Sequence, residues 1–114
     1  MSNDDLVRIK HIMDASEECV KFLESRQRKD LDTDRMLSLS LVRLLEIIGE
    51  AARGVSVQLR EKYQDIPWKQ MAGIRDRLIH GYFDVDMEIV WKTVKEDIPP
   101  LINQLTELLD KENS

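Results

Sequence analysis

Cysteine is nearly absent from this chain. Cys19 is the only one in 114 residues, which excludes an intrachain disulfide and any zinc knuckle built from several thiolates. Beside Glu18 and Val20 nothing favours its thiolate, so it reads as a small packed hydrophobe. No apolar run approaches the ~20 residues of a membrane span. The start, Met1-Ser2-Asn3-Asp4-Asp5, has no basic-then-apolar signal pattern, so a cytoplasmic protein without a membrane partner is expected. Also missing are a glycine-rich phosphate loop, a Cys/His metal cluster, a His-Glu-x-x-His pair and a nucleophile elbow. The expectation is therefore no metal site and no cofactor. No segment alternates like a strand, and no repeat or low-complexity linker interrupts the chain.

What is present suits one packed domain over residues 1–114. Hydrophobic residues make up 42% and charged residues 34%, enough to bury a core and too apolar for compositional disorder. The formal net charge of −5 weighs against a dedicated nucleic-acid binder, but it is unevenly spread. Residues 53–77 carry six basic side chains (Arg53, Arg60, Lys62, Lys69, Arg75, Arg77) against three acidic ones (Glu61, Asp65, Asp76). That segment is either ordinary helical surface or a basic patch for phosphates.

The apolar spacing is helical throughout. Asn3 or Asp4 suits the cap of a first helix carrying Leu6, Ile9, Ile12, Met13, Val20 and Leu23. Asp32 or Thr33 suits the cap of a second, ending near Gly54. On this helix Leu37, Leu41, Leu44, Leu45, Ile48 and Ala52 form one stripe, and Met36, Leu39 and Ile47 a second. Two stripes imply burial on two sides, one in the core and one at a subunit interface. Gly49, Ala51 and Ala52 would admit another helix closely. A short helix over about Ser56–Tyr63 follows. Pro67 then opens a helix from Trp68 to about His80, closed by Gly81. Asp84 or Asp86 starts the next, and Pro99-Pro100 breaks and restarts the chain before Leu101–Leu109.

Chemistry has few places to sit. His11 lies beside apolar Ile12 with Arg8 and Lys10 nearby, and reads as a helix-surface residue. His80 closes a helix with Arg75, Asp76 and Arg77. On that helix Asp76 and His80 are i,i+4 neighbours, so the carboxylate could fix the imidazole's tautomer. Arg75 falls about 140° away, so a long arginine reach, a distorted last turn or a second subunit is needed to join it to His80. Such a pair supports metal-free RNA cleavage: imidazole takes the 2′-hydroxyl proton, and arginine offsets phosphate charge. The bland alternative is a helix C-terminus with dipole-matched cations. Trp68, Trp91, Phe83, Ile74 and Tyr63 read as packing residues. Glu46 and Glu50 read as salt-bridge partners of Arg43 or Arg53.

Arg75-x-x-x-x-His80-x-Tyr82 resembles the signature of the HepT-like family in the HEPN superfamily. Its surroundings are similar too: Leu45–Ala52, Ile66-Pro67-Trp68 and Ala72-Gly73-Ile74 before it, and Tyr82-Phe83, Ile89-Val90-Trp91 and Asp97-Ile98-Pro99 after it. The likeness runs across roughly Asp4 to Leu109. The resemblance implies an all-α, HEPN-type antiparallel bundle with four main helices plus short helical segments. It also implies a homodimer whose two motif copies meet in a cleft. The activity it implies is a metal-independent endoribonuclease, the toxin of a type VII-like toxin–antitoxin pair. Arg75 and His80 take the catalytic positions, and Asp76 the polar position after the arginine. Tyr82 takes the position that a cognate minimal nucleotidyltransferase modifies with AMP. Arg53, Lys69 and Arg77, in the positive segment, are the expected RNA contacts. The competing expectations are a non-catalytic helical dimer that partners the nucleotidyltransferase, and a purely structural dimer.

Overall fold

The computed structural model describes residues 1–81 and 84–114. Tyr82, the expected modification site, and Phe83 lie outside the described residues. The elements are α1 (Asn3–Phe22), a single turn α2 (Asp30–Thr33), α3 (Arg35–Arg53), α4 (Val57–Lys62), α5 (Trp68–Ala72) and α6 (Ile74–Leu78). There follow a two-strand hairpin, β1 (Ile79–His80) and β2 (Asp84–Val85), then α7 (Met87–Lys92), a π-helical turn (Thr93–Asp97) and α8 (Ile98–Glu112). The fold is mostly helical, as the periodicity implies. No helix among the described residues is long and apolar enough to cross a membrane.

The two longest helices, α1 and α3, each start on a side-chain cap that satisfies a free N–H. Ser2 accepts from Asp5 N at 3.1 Å, one position before the expected Asn3. Asp34 accepts from Leu37 N at 3.1 Å, two positions after the expected Asp32, because Asp30–Thr33 closes a turn of its own. Leu41, Leu45 and Ile48 of α3 meet Ile9, Ile12 and Cys19 of α1 and Leu105 and Leu108 of α8, all with 1% exposure or less. Burying each such aliphatic side chain contributes roughly 1.5–3 kcal/mol. Cys19 is inside this core, and burial pushes its thiol up to about 12, consistent with a packing role. Asp5, an acidic residue drawn inside, accepts from Ser56 N at 2.9 Å and Ser56 Oγ at 2.5 Å, which ties α1 to the start of α4.

Gly49 positions the motif. A Cβ there would stand 3.0 Å from Ile74 Cγ2 and 3.0 Å from Met71 O. The close approach expected at this glycine is therefore made by α5 and α6 of the same chain. Of the second α3 stripe, Met36 and Leu39 are 81% and 54% exposed, while Ile47 packs partly against the core.

Two expectations fail. The helix from Trp68 does not reach His80: it breaks at Gly73, and Ile79 turns extended at φ −110°, ψ 121°. Ile79 then pairs with Val85 and His80 with Asp84, and Asp86 N donates to Leu78 O at 2.8 Å. Gly81, with φ +78°, serves a hairpin turn and not a helix cap. The second failure is at Pro99-Pro100, where the chain does not break. Ile98 N donates to Thr93 O, five residues back, and α8 continues with both prolines in its first turn, where a missing N–H costs nothing.

Candidate active site

The motif is built from two unlike pieces. Arg75, Asp76 and Arg77 sit on α6, with Ile74 and Leu78 facing the core at 2% and 0% exposure. These two anchors leave all three polar residues in solvent. His80 follows in β1, also exposed. The i,i+4 relation expected between Asp76 and His80 does not exist, because His80 is outside the helix. The two residues are nevertheless brought together by the fold. Asp76, Arg77 and His80 line one open cavity of about 430 Å³, which Lys92, Glu96 and Asp97 also border.

Arg75 is not among the residues lining that cavity. Its Nε stands 3.7 Å from Glu46 Oε2 on α3. This gives Glu46 a partner across the fold in place of the expected Arg43 or Arg53. At 62% exposure for Arg75, the pair is too long and too solvated to hold the guanidinium firmly. On α3, Leu39 and Glu46 are seven residues apart and so share a face with Met36. Arg75 therefore reaches the same side of α3 that exposes Leu39 two turns earlier.

The three expected RNA contacts separate as well. Only Arg77 borders the His80 cavity. Lys69 lines a different, shallow cavity with Arg60 and Trp68. Arg53 donates from Nη2 to Ala72 O at 2.9 Å, which satisfies a carbonyl at the end of α5. His11 is exposed on α1. Trp68 is buried and donates from Nε1 to Tyr63 O at 2.9 Å, and Lys95 Nζ lies 5.0 Å from the Trp91 ring. Among the described residues, no group of three or more His, Cys, Asp or Glu side chains converges as a metal site.

Lys92, Glu96 and Asp97 are the cavity residues that sequence reasoning missed. Nothing local marks them. They reach His80 only because the hairpin folds α7 and the π turn back against α6.

Fold and motif together describe a mostly helical protein that presents an Arg-x-x-x-x-His segment to solvent. A family model described as "Ribonuclease HepT-like" matches residues 12–108, and the chain belongs to that family. It is 40% identical over 104 residues to a protein of Caldanaerobacter subterraneus subsp. tengcongensis named "Putative RNase TTE0752", covering 91% of this chain and 93% of that one. It is also 40% identical over 95 residues to "Probable ribonuclease HepT" of Thermococcus cleftensis, covering 80% and 86%. A longer protein of Methanocaldococcus jannaschii, "Gamma-glutamylcyclotransferase and putative RNase MJ0434", is 35% identical over 111 residues. There the match covers 97% of this chain and 50% of that protein. No solved structure matches.

Proposed function

We propose that residues 1–114 form a single HepT-like domain that works in the cytoplasm as a homodimeric, metal-independent endoribonuclease. The observation that carries this reading is the cavity in which His80, Asp76 and Arg77 converge, in a chain of a ribonuclease family. His80 takes the proton of a ribose 2′-hydroxyl as that oxygen attacks the adjacent phosphorus. The phosphorus–5′-oxygen bond breaks, and the leaving oxygen takes up a proton. The products are a 2′,3′-cyclic phosphate and a 5′-hydroxyl. Asp76 orients the imidazole, and an arginine fork offsets charge on the phosphate oxygens.

Arg75 motivates the dimer. Its Nε stands 3.7 Å from Glu46 on α3, the helix whose first turns expose Met36 and Leu39. A two-fold contact through that apolar face would carry each Arg75 towards the partner protomer, and would bring two histidines to a reaction with two proton transfers. In this reading the chain is the toxin of a type VII-like toxin–antitoxin pair. Its antitoxin is a minimal nucleotidyltransferase that moves AMP from ATP to the Tyr82 hydroxyl, with pyrophosphate leaving. The added bulk and negative charge next to His80 would repel RNA.

The test is to incubate wild-type protein, shown by mass spectrometry to be unmodified at Tyr82, and His80→Ala with total RNA in EDTA. Cleavage by the wild type alone, leaving cyclic-phosphate ends, is the expected result. Silence from both would remove the nuclease and leave a non-catalytic partner of the nucleotidyltransferase.

A further inference from the structure

The hairpin that takes His80 off the helix also gives it a new neighbour. Ile79 and Val85 are paired, half-buried and packed against the core. Side chains alternate along a strand, so His80 and Asp84, the next pair along, share the opposite, exposed side. We propose that Asp84 is a positioning residue for His80: its carboxylate accepts from the imidazole Nδ1–H across the hairpin and leaves Nε2 free to take the 2′-hydroxyl proton. The inference rests on the ribonuclease reading above, and adds a second carboxylate to Asp76 beside the ring.

Three observations lead there. First, the backbone fixes the register. Asp86 N donates to Leu78 O at 2.8 Å, in step with the pairs Ile79–Val85 and His80–Asp84. Directly opposite residues of an antiparallel pair hold their Cβ atoms roughly 4.5–5.5 Å apart. Second, the two side chains match in height. Nδ1 and the carboxylate oxygens both lie two bonds beyond Cβ, whereas Nε2 projects farther out, so a bond between the pair uses Nδ1. Third, both residues are exposed, and each can take the rotamer that closes the pair without displacing packed neighbours. The other charged groups around His80 are Asp76 and Arg77 on α6, Lys92 on α7, and Glu96 and Asp97 on the π turn. They share the cavity with His80, but none of them is paired with it through the backbone. Which imidazole nitrogen carries the proton is set by the bond the other makes. A carboxylate at Nδ1 therefore selects the tautomer that a general base needs.

The experiment uses the full chain in two arms. In the first, nitrogen-15 NMR at alkaline pH, where imidazoles are neutral, reads which ring nitrogen is protonated. The chain has two histidines, and the spectrum of His80→Ala identifies the signals of His80. The wild type is expected to carry the proton on Nδ1. Asp84→Asn, which can donate to Nδ1, and Asp84→Ala, which leaves the ring to water, should both move it to Nε2. Unchanged amide signals of Ile79 and Val85 in either variant show that its hairpin is intact. A wild-type proton on Nε2, or a tautomer unchanged in both variants, overturns the proposal whatever the RNA result. In the second arm, kcat and KM for RNA cleavage are compared. In Asp84→Ala, kcat should fall about tenfold with KM little changed, part of the ~10²–10⁴-fold that a positioned acid–base group supplies. An unchanged kcat overturns the catalytic use of the pair and leaves the nuclease standing. A wild type that cuts nothing removes the nuclease, and the tautomer still decides whether Asp84 holds the ring.

Discussion

The frame of α1, α3 and α8 and the motif region from α5 to the π turn are built on opposite terms. The frame consists of long helices whose apolar stripes interlock, with Ile9, Ile12, Leu41, Leu45 and Leu105 all at 0% exposure. The motif region is assembled from pieces of two to six residues. Each is held by one or two inward anchors, such as Leu78 and Ile74, while its charged side chains stay in water. Short elements cannot sustain themselves, so the second region keeps its geometry only because the first supports it. Stability therefore resides in one place and the exposed Arg-x-x-x-x-His motif in the other.

That division can be broken by mutation. Leu45→Ala, at the centre of the frame, should cost about 2–5 kcal/mol, read as a lowered midpoint in urea unfolding. Gly49→Val acts at the seam. Its side chain must displace Ile74 or the Met71 carbonyl, at an expected cost of about 1–3 kcal/mol, and RNA cleavage should fall together with stability because α6 shifts. A pure stability loss with full activity in the remaining folded protein would show that the seam does not position the motif.

A third test concerns the clasp at the chain ends. Glu112 accepts from Lys62 Nζ at 2.7 Å and Tyr63 OH at 2.5 Å, and meets the Met1 amino group at 3.2 Å. The hydrogen bond from Lys62, then that from Tyr63, holds the Glu112 carboxyl down at about 2, against an ordinary 4.5. A carboxyl lowered in the folded state contributes stability that is complete above the unfolded value. The contribution is lost as pH falls from about 4.5 towards 2. Thermal melts of wild type and Glu112→Gln should differ at pH 7 and converge across that window; a constant gap would discount the clasp. The smallest effect is expected in the motif itself. His80→Ala and Arg75→Ala, both exposed, should stay within about 0.5 kcal/mol of wild type in unfolding.

The same division explains what could be read from the sequence. Helices α1 and α3 were legible because six or more apolar residues recur at helical spacing on each, and only their cap positions moved by one or two residues. The hairpin was not. A two-residue strand has no alternation to detect, and Gly81 supplies a positive φ equally well to a helix end and to a turn. Placing His80 on a helix therefore put it in the wrong local geometry, although the fold still brings Asp76 to the same cavity. The Arg75–Glu46 approach and the cavity border formed by Lys92, Glu96 and Asp97 are tertiary, and local periodicity carries no information about them. The doublet Pro99-Pro100 was misread because the π turn just before it carries the chain into α8 without the break that two prolines suggest.

The π turn has one further consequence, for the comparison of relatives. On an unbroken α-helix, Val90, Val94, Ile98, Leu101, Leu105 and Leu108 would make a single straight stripe. The five-residue reach from Ile98 N to Thr93 O adds one residue to the turn and rotates everything beyond it by about 100°. One rod thereby presents α7 to α6 and α8 to α1. A relative with one residue fewer between positions 93 and 97 would carry a regular helix through this stretch. Column-by-column alignment would then need a one-residue gap there to keep Lys92 and the α8 core residues matched to their structural counterparts.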